Sequence, residues 1–103
     1  MTSKIEDGKM TFSLKDKIIM SNSDALKNQI KKNILDETKS SEINILEFDL
    51  KDVEFIDSTG VGVFISLFKF SNENDMEMSI VNTQDMVKKI FTITKLDTLL
   101  NIK

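Results

Sequence analysis

Apolar and polar residues alternate along this chain with two periods. Met10, Phe12 and Leu14 alternate with Thr11, Ser13 and Lys15, the period-two pattern of a half-buried strand. Just ahead, Ile5-Glu6-Asp7-Gly8-Lys9 predicts a hairpin turn, because Asp-Gly tolerates the positive φ angles of a tight loop. Lys17 to Met20 either continues the strand or pairs with it after a turn at Lys15-Asp16. Ser21, Asn22 and Ser23 offer caps for a helix through about Glu37. Its inner stripe is Leu26, Ile30 and Ile34, with Lys27, Lys31 and Lys32 toward water. Lys39-Ser40-Ser41 links that helix to the most apolar part of the chain.

That part runs from Ile43 to Phe70. Ile43, Ile45, Leu46, Phe48 and Leu50 are too densely apolar for a strand with one wet face, so a strand buried on both faces is predicted. Val61, Phe64, Ile65, Leu67 and Phe68 fall at helical spacing. Between the two lies Asp57-Ser58-Thr59-Gly60, where Asp57 or Ser58 can cap the helix by accepting a free first-turn amide. Beyond it, Asn72 to Asp75 is a polar turn and Met76, Met78 and Ile80 alternate into another strand that ends with Val81. Thr83 is the expected cap of a last helix burying Met86 or Val87, Ile90 and Phe91, and Leu96, Leu99, Leu100 and Ile102 should pack back on the body. No proline, repeat or domain linker interrupts residues 1–103, so a single domain is expected. Two strand–helix–strand passages imply right-handed crossovers and an α/β fold: a small mixed sheet of about five strands with helices packed on it.

Composition narrows the chemistry. The 103 residues carry a net charge of −3, which disfavours a phosphate-binding groove and direct nucleic-acid contact. No run approaches the roughly 18 apolar residues of a membrane span, so no membrane insertion is expected. The opening MTSKIEDGKM lacks the apolar core of a signal peptide, and a cytoplasmic protein is expected. There is no His, Cys, Trp, Tyr or Arg, and all 14 basic residues are Lys. Without His or Cys there is no Ser-His-Asp or Cys-His apparatus and no imidazole or thiolate zinc site. Catalytic residues, metal and cofactor are therefore expected to be absent. Strand alternation puts Glu47 and Asp49 on one face with no spaced third ligand, so Glu42, Glu47 and Asp49 are not expected to form a metal cluster. Gly60-Val61-Gly62 lacks the further glycine or Gly-Lys-Ser/Thr ending of a nucleotide loop. Ser58 as a helix cap alone would be an ordinary reading of the pattern.

The stretch FDLKDVEFIDSTGVGVFISLFKF resembles the signature of the anti-sigma factor antagonist family, the STAS domains: an apolar strand, a short acidic turn, an apolar pair, Asp-Ser-Ser/Thr-Gly and an apolar helix. KMTFSLKDKI is similar to the family's early strands, and DMVKKIFTITKLDTLLNI to its closing helix and tail. The resemblance implies a role in bacterial transcription regulation. An unphosphorylated antagonist binds an anti-sigma factor that is a serine kinase, the sigma factor is released, and phosphorylation by that kinase ends the binding. It makes Ser58 the phosphorylated residue, with Thr59 the rival acceptor, and Asp57, Ser58, Thr59, Gly60, Val61 and Gly62 the partner-binding residues. A metal-dependent serine phosphatase would restore the hydroxyl. The family's Gly-x-Ile/Leu-Asp element is absent; Asp16-Lys17-Ile18-Ile19 stands in its place. Two other readings stay open: a STAS adaptor subunit that does not switch, in a transport or stress-signalling assembly, and a nucleotide-binding protein using the Ser58–Gly62 loop.

Overall fold

The computed structural model describes residues 1–103. Its elements are β1 (Thr2–Glu6), β2 (Lys9–Ile18), α1 (Ser23–Glu37), β3 (Ile45–Ile56), α2 (Ser58–Glu73), β4 (Glu77–Val81), α3 (Asp85–Ile93), a 3-10 turn (Leu96–Thr98) and β5 (Asn101–Ile102). The expected small mixed sheet with helices packed on it is what forms. The five strands lie in the order β1-β2-β3-β4-β5, with β1 antiparallel to β2 and all other pairs parallel. The first hairpin turns on Asp7 (φ 51°) and Gly8 (φ 80°), as the Asp-Gly pair requires.

Each parallel strand is laid down beside the last. Crossovers of one hand then put α1, α2 and α3 on the same face of the sheet, and the core confirms it. Phe12 stacks on Phe48 at 5.5 Å, Phe48 meets Phe64 edge-on at 6.0 Å, and Phe64 meets Phe91 edge-on at 5.6 Å. This one chain of rings joins β2, β3, α2 and α3. All four are fully buried, within a single apolar cluster that also takes in Ile30, Ile34 and Val87.

The central strand is buried on one face only, which corrects the two-faced expectation. Leu46, Phe48 and Leu50 enter the core, whereas Ile45, Glu47 and Asp49 are half-buried on the open side. There Lys9 pairs with Glu47 at 2.9 Å. Ile43, which made the run look doubly apolar, is buried in the connection ahead of the strand. The strand is also longer than expected, because the acidic turn after Leu50 does not end it. Ser13 pairs with Asp49 and Lys15 with Asp52, then Asp16 with Val53 and Lys17 with Phe55. Twice β3 spends one residue more than β2, which marks two bulges. They shift the inward positions to Val53 and Ile56 and bring Asp57 out at the end of the sheet. Of the two readings of Lys17 to Met20, continuation is what forms as far as Ile18: Lys15-Asp16 is an irregularity inside one continuous β2, with Asp16 at φ 65°.

Smaller corrections have similar causes. The cap of α3 is Gln84, not Thr83, and its side chain donates instead to the Lys51 carbonyl at 2.7 Å. Of the alternatives Met86 and Val87, Val87 is buried; Leu99 is exposed while Leu96 and Leu100 are buried. The polar turn shrinks to Asn74-Asp75, because α2 runs to Glu73. Lys31 is half-buried rather than solvated, with its ammonium 3.0 Å from Ser66 Oγ and over the Phe70 ring.

Candidate functional site

All parallel strands end at the same edge of the sheet, so the starts of α1, α2 and α3 gather there. The sequence-predicted residues lie at the middle of the three. The Asp57 backbone is extended (φ −99°, ψ −174°), and its Oδ1 accepts the Gly60 amide at 2.8 Å. This is an N-cap in which the third helical residue donates. The other oxygen, Oδ2, accepts the Met20 amide at 3.0 Å, and the Asp57 amide donates to the Ile18 carbonyl at 3.2 Å. One residue thus fastens the start of α2 to the end of β2. Sequence reasoning found the cap but missed the clasp, for its two halves are 37 residues apart.

The Gly60 amide's hydrogen bond is the largest cause holding the Asp57 carboxyl below its ordinary 3.8; partial burial opposes it, and the Met20 amide reinforces it. A carboxyl with a lowered folded-state value stabilises the fold fully above its ordinary value, and loses that contribution as pH falls through the lowered one. Asp57→Ala should therefore be less stable than the parent at pH 7, with the gap closing as pH falls below 3.8. Urea unfolding of both proteins at pH 7 and pH 3 measures this; a gap that stays constant would assign the effect to packing.

Ser58 is the first residue of α2 and is exposed, whereas Thr59 is half-buried. Gly60 is buried for a definite reason. A Cβ there would stand 2.2 Å from the Ile18 carbonyl oxygen and 3.1 Å from its carbon. Val61 is buried in the core and Gly62 is exposed. Of the six residues, then, Ser58 and Gly62 face outward, Asp57 and Thr59 partly so, and Gly60 and Val61 set the position of the helix. A shallow depression of about 270 Å³ lies between the starts of α1 and α2, lined by Ser23, Asp24, Lys27, Thr59, Gly62 and Val63. The nucleotide-loop reading loses ground here: the Asp57 carboxylate already holds the amide a phosphate would need, and Gly62 lies inside a helix.

Gly62 has no such internal reason, since a Cβ there meets nothing within 4 Å. Glycine inside a helix costs roughly 0.5–1 kcal/mol relative to alanine. Gly62→Ala should therefore raise the melting temperature by a few degrees, which thermal unfolding followed by circular dichroism would show. A fall would mean that the helix at this point is crowded.

No group of three or more His, Cys, Asp and Glu residues is placed to hold a metal, and no helix is long and apolar enough to cross a membrane. The STAS domain family model matches residues 1–103. An anti-sigma-B factor antagonist of Staphylococcus aureus is 37% identical over 54 residues, 52% of this chain and 50% of that one, so the chain spans about half the length of the curated relatives it matches. Among solved structures, an anti-sigma factor antagonist from Mycobacterium paratuberculosis is similar with a TM-score of 0.82 at 21% identity, over 98% of this chain and 81% of that one. The anti-sigma factor antagonist SpoIIAA in its unphosphorylated form is similar with a TM-score of 0.70 at 12% identity, over 99% and 86%. At such identities these two likenesses concern the fold.

Proposed function

The chain belongs to the STAS domain family, and from that footing we propose that it is a cytoplasmic bacterial anti-sigma factor antagonist that catalyses nothing itself. Unphosphorylated, it binds an anti-sigma factor that is a serine kinase, and the sigma factor goes free. The kinase, supplied with ATP, then phosphorylates Ser58 and the complex parts; a serine phosphatase resets the hydroxyl. The contact surface is the outward part of Asp57 to Gly62: Ser58 and Gly62, with Asp57 and Thr59 at its margin, while the buried Gly60 and Val61 hold the helix in place.

One observation carries the reading: Ser58 is exposed on the first residue of a helix whose start is already fastened by its neighbour. A phosphate there adds about −1.5 to −2 charges to the surface, at a helix start whose dipole favours negative charge. The surface changes and the fold stays. The half-buried Thr59 is the poorer acceptor. The names of the relatives point the same way.

The test is capture from a lysate of the source organism with wild type, Ser58→Ala and Ser58→Asp as baits. An ATP-binding kinase retained by the first two and lost by the third is the expected result. Equal capture by all three would leave Ser58 as a helix position only and favour the adaptor that does not switch.

A further inference from the structure

We infer that Met20 selects the partner, by entering an apolar pocket on the kinase surface that receives Ser58; the inference rests on the reading of Ser58 given above. Met20 is 76% exposed, the most exposed of the large apolar side chains. Exposure alone carries nothing, since single apolar side chains at a surface are ordinary. What sets Met20 apart is how its backbone is held. The Ile19 carbonyl accepts the Asn22 amide at 3.0 Å, the Ser23 amide at 2.9 Å and the Ser23 hydroxyl at 2.6 Å. The Ile19 amide donates to Asn22 Oδ1 at 3.0 Å, and Asn22 Nδ2 donates to the Lys17 carbonyl at 2.8 Å. Met20's own amide is tied to Asp57 at 3.0 Å. Three polar side chains, Asn22, Ser23 and Asp57, thus fix a short loop that presents an apolar side chain to solvent. The backbone that carries the side chain is therefore ordered before contact, so binding has only the methionine rotamers left to fix.

Its location fixes the occupant. The carboxylate that holds Met20 belongs to the residue next to Ser58. A stable protein interface covers about 800 Å² per partner, a patch roughly 16 Å in radius, so a kinase centred on Ser58 has Met20 within its footprint. Methionine, unbranched and polarisable, suits an apolar concavity there.

The test uses the serine kinase captured by the wild-type bait, purified and titrated calorimetrically with wild type, Met20→Ala, Leu35→Ala and Ser58→Asp. Leu35 is also exposed but lies near the far end of α1. Met20→Ala keeps the backbone amide and should keep the melting temperature. Its Kd should rise about tenfold or more, while Leu35→Ala stays within twofold of wild type. A Met20→Ala affinity within twofold of wild type, with Ser58→Asp binding lost, overturns this inference and leaves the phosphorylation reading standing. Undiminished binding by Ser58→Asp overturns both.

Discussion

Gly60→Ala is expected to lower the melting temperature by on the order of 10 °C, and Gly60→Val to prevent folding at room temperature. The added Cβ would lie 2.2 Å from the Ile18 carbonyl oxygen. That oxygen is backbone, in the last residue of β2 and also the acceptor of the Asp57 amide, so it cannot swing aside as the end of a side chain would. Either β2 retreats and drops the Asp57 contact, or the first turn of α2 lifts and drops the cap. Overpacking of this kind costs about 3 kcal/mol. Against it stands alanine's helical advantage over glycine, about 1 kcal/mol at most. The clash wins, and each net kcal/mol moves the midpoint of a domain this size by roughly 5 °C or more. Urea unfolding should show a lower midpoint with an unchanged slope. A Gly60→Ala protein as stable as wild type would mean that β2 and α2 separate here without cost. The pair Gly60 and Gly62 then makes a sharp contrast: one methyl group, two residues apart in one helix, destabilises at the first position and stabilises at the second.

That contrast marks the limit of what the sequence disclosed. The hairpin was legible because Asp7-Gly8 is a local conformational demand, and β4 and α2 because their apolar residues keep a clean period. The cap was legible because Asp57 needs to reach only Gly60. What stayed hidden depends on residues far apart. The two bulges exist only as a mismatch between β2 and β3, and the apolar run before Leu50 disguised a strand with one polar face, whose Glu47 is matched by Lys9 across the sheet. The same holds at the site. Asp57, Ser58 and Gly60 stand in one motif, yet the reason for Gly60 is Ile18, and the second partner of Asp57 is Met20. Nothing in residues 16–20 announces either contact, and the absent Gly-x-Ile/Leu-Asp element made that stretch look less informative than it is.

Phosphorylation of Ser58 is expected to weaken binding to the kinase at least a hundredfold while moving the melting temperature by no more than a few degrees. The two halves have separate causes. The fold tolerates the phosphate because Ser58 is exposed, sits at a helix start whose dipole favours negative charge, and packs against nothing in the core. The like charge of Asp57 opposes the helix-start attraction, so the net effect on folding is small. The complex has no such escape. A partner surface shaped for a neutral hydroxyl meets about −1.5 to −2 charges, and a penalty of about 3 kcal/mol suffices for the hundredfold loss. Ser58→Asp adds less charge and should reproduce the direction at reduced size, and Thr59→Ala should leave the switch intact. Calorimetric titration of the purified kinase with the phosphorylated and unphosphorylated chains measures the first half, and thermal unfolding the second. Raised salt distinguishes the source of the loss: exposed charges are screened over about 8 Å at physiological ionic strength and about 3 Å at 1 M. An electrostatic penalty therefore shrinks with salt, and a steric one persists. Equal affinity of the two chains would remove Ser58 from the interface, and a collapse in melting temperature would show that the phosphate acts by breaking the Asp57 clasp rather than by altering the surface it presents.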